Sequence, residues 1–129
     1  MRKVLLAFAA VMMVMAYGMA TQAVAAKKAP KAETMTMSGY IIDTKCATDN
    51  KDKLDEFVKS HTKECATAPA CQKSGYNFYS EGKLYKLDKA SNKKAIDFLK
   101  KADSKLNVKV EMSHGKGDVI KLMKIENAE

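Results

Sequence analysis

The chain has 129 residues, with 23 basic and 15 acidic side chains and three cysteines, which gives a net charge of +8 at pH 7. This length suits one small domain with a modest core. Beyond the first 26 residues every cation is a lysine. The bidentate hydrogen bonds that read phosphate or guanine favour arginine, so the charge argues against a specific nucleic-acid partner and indicates a solvated surface.

Residues 1–26 have the pattern of a secretory signal peptide. Arg2 and Lys3 precede an uncharged apolar run at residues 4–20, and small residues at 23–26 form a cleavage site. Cleavage there predicts an exported protein, periplasmic or secreted, that keeps no membrane span. An uncleaved anchor is the less favoured alternative, because a spanning helix needs roughly 20 apolar residues.

The remaining chain divides into a flexible leader, residues 27–37, and a single domain, residues 38–129. The leader begins with a polar stretch that contains a proline and shows no hydrophobic periodicity. Within 35–46, the β-rich segment MTMSGYIIDTKC predicts a first strand through residues 40–42, and Gly39 is typical of a bend or bulge.

Residues 49–65 change to a helical period. The residues that recur at this spacing are Leu54, Phe57, Val58, His61 and Cys65. This stripe predicts one amphipathic helix, which Pro69 prevents from continuing because proline breaks a helix interior.

Four further elements follow along the chain. Residues 75–88 predict a hairpin around a glycine-containing turn, and residues 91–103 predict a second helix that Ser91 can cap. Alternation over 107–112 and the apolar pattern of 119–126 predict the last two strands. This order predicts a mostly β fold with two helices: a small five-stranded OB-like barrel, with one helix after strand 1 and one between strands 3 and 4. A plain α+β sandwich is the competing architecture.

Three cysteines and one histidine are expected to converge at one end of this sheet. Cys46 ends the first strand and Cys71 precedes the second, so antiparallel pairing brings both to the same end. His61 and Cys65 are four residues apart, which places them on one face of the predicted helix.

Three kinds of chemistry fit this cluster, in decreasing order of preference. A disulfide, Cys46–Cys71 or alternatively Cys46–Cys65, would staple a small exported domain. His61 with the three thiolates would suit a soft metal, zinc or copper, although C-x5-C is wider than a zinc knuckle. A thiol redox centre at Cys65 is the third alternative, since the chain has no C-x-x-C and a helix C-terminus does not lower a thiol pKa.

Motifs of hydrolytic enzymes and phosphate-binding glycine loops are absent from the sequence. Asp43 is the acid beside the cluster, and it would either orient His61 as an outer-sphere partner or, as the favoured interpretation, pair with Lys45 at the surface. We therefore expect a monomeric binding or structural module rather than an enzyme.

An alternative function is an OB-type module that binds an envelope saccharide or peptide through an aromatic strand face. The candidate face consists of Tyr40, Tyr76, Phe78, Tyr79 and Tyr85. Because the core also has to be filled, about three of these rings are expected inside.

The segments SGYIIDTKCA, HTKECATAPACQKSGY and EGKLYKLD, with VKVEM and VIKLMKIE, resemble a group of small exported bacterial proteins of unknown function. The resemblance covers about residues 38–126 and implies the fold and export but no activity.

A second soft-metal candidate combines Met35 and Met37 with Met112 and His114, because thioether and imidazole suit copper(I). In size, compartment and strand order the chain is also similar to periplasmic OB-fold copper and silver chaperones, but it has no tryptophan to stack on the ion. The alternative places Met112 in the core and the other two methionines at a strand edge.

Overall fold

The structure, a computed structural model, describes residues 33–129. The predicted signal peptide and residues 27–32 of the predicted leader lie outside the described residues. The strands are β1 (Thr34–Asp43), β2 (Tyr76–Ser80), β3 (Lys83–Leu87), β4 (Asn107–His114) and β5 (Val119–Asn127). Because β1 begins at Thr34, residues 34–37 belong to the sheet and not to a flexible leader.

The five strands form one sheet that closes on itself. Their order is β1, β2, β3, β5, β4, and β4 pairs back with β1 from Thr34↔Ser113 to Tyr40↔Asn107. All pairs are antiparallel except β3 with β5, which run parallel. The predicted mostly β fold with five strands is therefore confirmed.

The interior of the closed sheet is filled as the alternation of β4 predicts. Val108, Val110 and Met112 are buried, whereas the residues between them are exposed. Apolar residues of the other strands, of one long helix and of the connecting segments complete this core: Ile41, Ala66, Tyr76, Phe78, Leu87, Ala95, Phe98, Leu99, Leu106, Ile120 and Leu122.

The long helix, α5 (Lys89–Leu99), lies between β3 and β4 in sequence. It begins two residues before the predicted start. Asp88, not Ser91, is its N-cap, and the Asp88 side chain accepts a hydrogen bond of 2.7 Å from the Ser91 amide. The buried Ser91 hydroxyl instead accepts a 2.7 Å hydrogen bond from the Leu122 amide of β5, which ties the helix to the sheet.

Gly39 allows β1 and β2 to approach closely. A Cβ atom at this position would clash with the carbonyl oxygen of Tyr79 and would lie 2.8 Å from the Phe78 ring. The glycine is therefore required by contact between strands, which leaves no room for a side chain.

The segment between β1 and β2 differs from its prediction. One helix over 49–65 was expected, but the chain forms a 3-10 turn and four short helices: Lys51–Lys53, α1 (Thr44–Asp49), α2 (Leu54–Ser60), α3 (Lys63–Ala66) and α4 (Pro69–Ser74). The break occurs because His61 and Thr62 are extended, with ψ angles of 132° and 155°, and the Thr62 side chain caps α3. Within residues 33–129, none of the helices has the length and apolar character needed to cross a membrane.

Candidate metal centre

The four short helices bring the three cysteines together. Cys46 lies in α1, Cys65 in α3 and Cys71 in α4. Their Sγ atoms all lie within 4.8 Å of one another. Residues that are up to 25 positions apart in sequence thus form one group of three sulfur atoms, which we call the thiol cluster.

The three thiols differ in their access to solvent. Cys71 is buried, Cys46 is half-buried and Cys65 is exposed.

All three cysteines are free thiols. Neither of the predicted disulfides, Cys46–Cys71 or Cys46–Cys65, is present. A disulfide requires two sulfur atoms about 2.05 Å apart, whereas three separate helices here present the sulfurs to one another as a group of three.

Asp43, the last residue of β1, anchors this cluster. Its Oδ1 atom accepts a 2.9 Å hydrogen bond from the Cys46 amide and thereby caps α1. Its Oδ2 atom lies 3.1 Å from Nε2 of His61, and both side chains are buried, at 0 % and 2 % exposure. Lys45 pairs with Asp49 at 2.7 Å, so the favoured Asp43–Lys45 surface pair is wrong. The Asp43–His61 contact was the other alternative.

His61 belongs to a second, overlapping group of potential ligands. Asp43, Cys46 and His61 each offer one atom within 4.8 Å of the others. Cys46 is common to this group and the thiol cluster. The predicted geometry, in which His61 and Cys65 share one helix face, is wrong because α2 ends at Ser60 and His61 is extended. The His61 ring packs instead on Phe57, with 4.9 Å between the ring centroids.

The surroundings of two thiols keep them protonated. Burial raises the pKa of the Cys46 thiol, and the neighbouring Asp43 carboxylate raises it further. The same two causes, in the same order, raise the pKa of the Cys71 thiol. Such thiols are weak nucleophiles. A metal ion can still bind them, because it displaces the thiol protons and supplies the positive charge that stabilises the thiolates.

The candidate aromatic face is mostly inside the protein. Tyr76, Phe78 and Tyr79 are buried, as expected for about three of the five rings. The first two fill the closed sheet, while Tyr79 packs in a second buried cluster with residues of α1 and α2. Only Tyr40 and Tyr85 of the five are partly accessible. The alternative of a saccharide- or peptide-binding face therefore lacks an exposed aromatic surface. A closed five-stranded sheet needs these rings to fill and cover it.

The second soft-metal candidate is also divided between core and surface. Met112 is fully buried in the core, and Met37 packs against that core. Met35 pairs opposite Met112 but is 40 % exposed, and His114 is exposed with its ring 6.2 Å from that of Tyr85. Met112 is therefore a packing residue of the core, as the alternative to a copper(I) site predicted.

The sequence contains a local signal for the role of Asp43 as a helix N-cap, although this role was not among the predictions. An aspartate three residues before the amide it accepts is typical of a helix N-cap, and Asp43 stands in that relation to Cys46. Thr62 has the same relation to Cys65. Cys46 and Cys65 are therefore each positioned by the capped first turn of a helix.

Comparison with protein-family models, with curated proteins and with solved structures gives no significant match. The resemblance to small exported bacterial proteins, and the more distant one to metal chaperones, stays a prediction. Any function has to be argued from the thiol cluster and its surroundings.

Proposed function

We propose that this chain is a small exported binding module that holds one soft metal ion, zinc or copper(I), between Cys46, Cys65 and Cys71. The observation that carries the proposal is the mutual approach of the three Sγ atoms to within 4.8 Å. Thiolates select soft metals, and carboxylate or carbonyl oxygens select hard ones. A group of three sulfurs therefore favours zinc or copper(I) over calcium or magnesium.

The spacing suits such an ion after a small contraction. Zinc–sulfur bonds of about 2.3 Å in a tetrahedral site place the sulfur atoms roughly 3.8 Å apart. Each cysteine lies on its own short helix, so modest side-chain rotation can close the remaining gap. Binding would convert the three thiols to thiolates and release their protons.

Asp43 and His61 would position this site. Asp43 holds the Cys46 amide and the His61 ring at once, with distances of 2.9 Å and 3.1 Å. A carboxylate that holds one ring nitrogen of a histidine commonly orients that ring so that its other nitrogen binds a metal. Nε2 of His61 faces Asp43, which leaves Nδ1 as the ring nitrogen that would complete the ligand set.

The fold supports an OB-type module. The strand order, the parallel β3–β5 pair that closes the sheet and a helix between β3 and β4 are the features of that architecture. The thiol cluster lies on the connection between β1 and β2. Export and a periplasmic or secreted location are supported by the signal-peptide pattern of residues 1–26.

Binding is favoured over catalysis by the state of the thiols. A catalytic cysteine needs a lowered pKa, and burial raises the pKa of Cys46 and of Cys71. The proposal is therefore for a binding protein and not an enzyme.

The test is the native mass of the untagged protein, purified under reducing conditions and loaded with one equivalent of zinc or copper(I). We expect one ion per chain, lost on acid denaturation. Cys46→Ser, Cys65→Ser and Cys71→Ser should each lose or weaken it, while His114→Ala, which removes the chain's other histidine, should retain it. A folded wild-type protein that binds neither ion would overturn the proposal.

A further inference from the structure

The graded exposure of the three thiols points to a second reaction at the same place. We propose that the thiol cluster reacts with small disulfides by thiol–disulfide exchange, with Cys65 attacking first and Cys46 second, and that the reaction releases the bound ion. The release rests on the proposed metal function. The exchange itself does not, because it needs only the thiols.

Cys65 is the point of entry because it is the exposed thiol of the cluster. It lies in α3, a helix of four residues that begins at the Thr62 cap and ends at Ala66. Cys71 is buried and Cys46 is half-buried, so an incoming disulfide meets the Cys65 sulfur before the others. Access of this kind largely decides which thiol reacts with an external disulfide.

Cys46 is the second thiol because it is the more accessible of the two that remain. It is half-buried, whereas Cys71 is buried, and its Sγ atom lies within 4.8 Å of that of Cys65. Closing a disulfide from a separation of at most 4.8 Å requires the sulfur atoms to approach to about 2.05 Å. Rotation of both side chains, with a small shift of the four-residue α3, can supply this approach.

The two steps balance in atoms and electrons. The Cys65 thiolate attacks one sulfur of the external disulfide, forms a mixed disulfide and expels the other half as a thiolate. The Cys46 thiol is a weak nucleophile towards molecules in solution, but its sulfur lies within 4.8 Å of the Cys65 sulfur, so the second attack is intramolecular. After losing its proton it attacks Cys65, forms the Cys46–Cys65 bond and expels the second half as a thiolate. Each protein thiol gives its proton to a departing thiolate. One disulfide is thereby reduced to two thiols, and two cysteines are oxidised to one disulfide.

The same bond removes two of the three sulfur ligands from a bound ion. Cys71 alone would remain as a thiolate, and one sulfur with nearby Asp43 and His61 holds a soft ion far less firmly than three. For zinc, which has no redox chemistry of its own, the two bound thiolates supply both electrons and the ion departs unchanged. The ion and the disulfide thus exclude each other.

Oxidised glutathione is the probe for the exchange, first with the metal-free full chain. After an acid quench and alkylation of remaining thiols, peptide mass spectrometry should find Cys46 joined to Cys65 and Cys71 alkylated. Cys46→Ser should stop at a glutathione adduct on Cys65, because the second attack is lost. Cys65→Ser should react at least about tenfold more slowly, because the remaining thiols are shielded. Circular dichroism confirms that each variant is folded.

A different bond pattern would overturn the assignment. If Cys71 carries the disulfide in the wild type, or if Cys46→Ser accumulates no adduct on Cys65, the proposed order of attack is wrong. Cys71→Ser gives a second check, since it should still form the Cys46–Cys65 bond.

The zinc-loaded protein then tests release. Zinc liberated by oxidised glutathione, followed with a chromophoric chelator, should appear in step with the Cys46–Cys65 disulfide. Disulfide formation without zinc release would refute the coupling. If the protein binds no zinc at all, the proposed function fails while the exchange on the metal-free chain stands, so the two failures are distinguishable.

Discussion

Asp43→Ala removes two hydrogen bonds from the base of the thiol cluster, and its effect can be worked out from the structure. Loss of the N-cap that holds the Cys46 amide should lower the free energy of unfolding by about 1 kcal/mol. The His61 ring, buried with 2 % exposure, loses its partner as well, which adds about 1–3 kcal/mol for an unsatisfied buried group. We expect a total loss of about 2–4 kcal/mol, a large part of the stability of a small domain.

Asp88→Ala is the matched control, because Asp88 caps α5 through a 2.7 Å hydrogen bond from the Ser91 amide. Its loss should remove only the capping contribution of about 1 kcal/mol. Urea unfolding at pH 7, with reductant and a metal chelator present, measures both variants without contributions from disulfides or ions. Equal losses in the two variants, within about 0.5 kcal/mol, would show that the Asp43–His61 contact contributes nothing and would refute the reasoning.

Three further predictions follow from particular contacts. His61→Ala should weaken zinc binding by about 10–100-fold and His114→Ala should leave it unchanged, as measured by chelator competition. Hydrogen bonds from Ser91 lower the pKa of Asp88, so its stabilisation is present above the unfolded pKa near 4 and is lost as pH falls through the folded value. The unfolding free energies of wild type and Asp88→Asn should therefore converge between pH 5 and about 2. Gly39→Ala should lower the unfolding free energy by at least about 2 kcal/mol, because its methyl group meets the Tyr79 carbonyl; wild-type urea stability would contradict this.

The elements in which apolar residues recur with a clear period could be predicted from the sequence. Val108, Val110 and Met112 alternate with exposed residues, and that pattern alone identifies β4 and its buried face. The hairpin turn is Glu81–Gly82, where both residues have positive φ angles of 51° and 76°. A glycine at such a turn is a local signal, so it needs no knowledge of the rest of the fold.

The segment around His61 could not be predicted in the same way. Its apolar spacing continues through the break, so periodicity alone favours one helix. The chain breaks there because Asp43, eighteen residues earlier, holds the His61 ring and Thr62 caps a new helix. The first of these contacts is tertiary, and a local pattern does not contain it.

The convergence of the three cysteines was predicted, but only part of the reasoning behind that prediction was correct. The pairing of β1 with β2 places Asp43 opposite Tyr76, so the flanking residues Cys46 and Cys71 meet as expected. The predicted disulfide and the place of His61 depended on side-chain positions within the short helices. Those positions are set by caps and burial, which sequence spacing does not specify.

The position of the thiol cluster along the chain affects the order in which the protein folds. Its three members lie between residues 46 and 71, whereas closure of the sheet pairs Thr34 with Ser113. The entropy lost in closing a loop grows with its length, so the nearby contacts are the easier ones to form first. An emerging polypeptide would present all three cysteines before the final strands have left the ribosome. If the cluster binds an ion as proposed, a half-made chain would be able to acquire it, and strand closure would follow around a site that is already assembled.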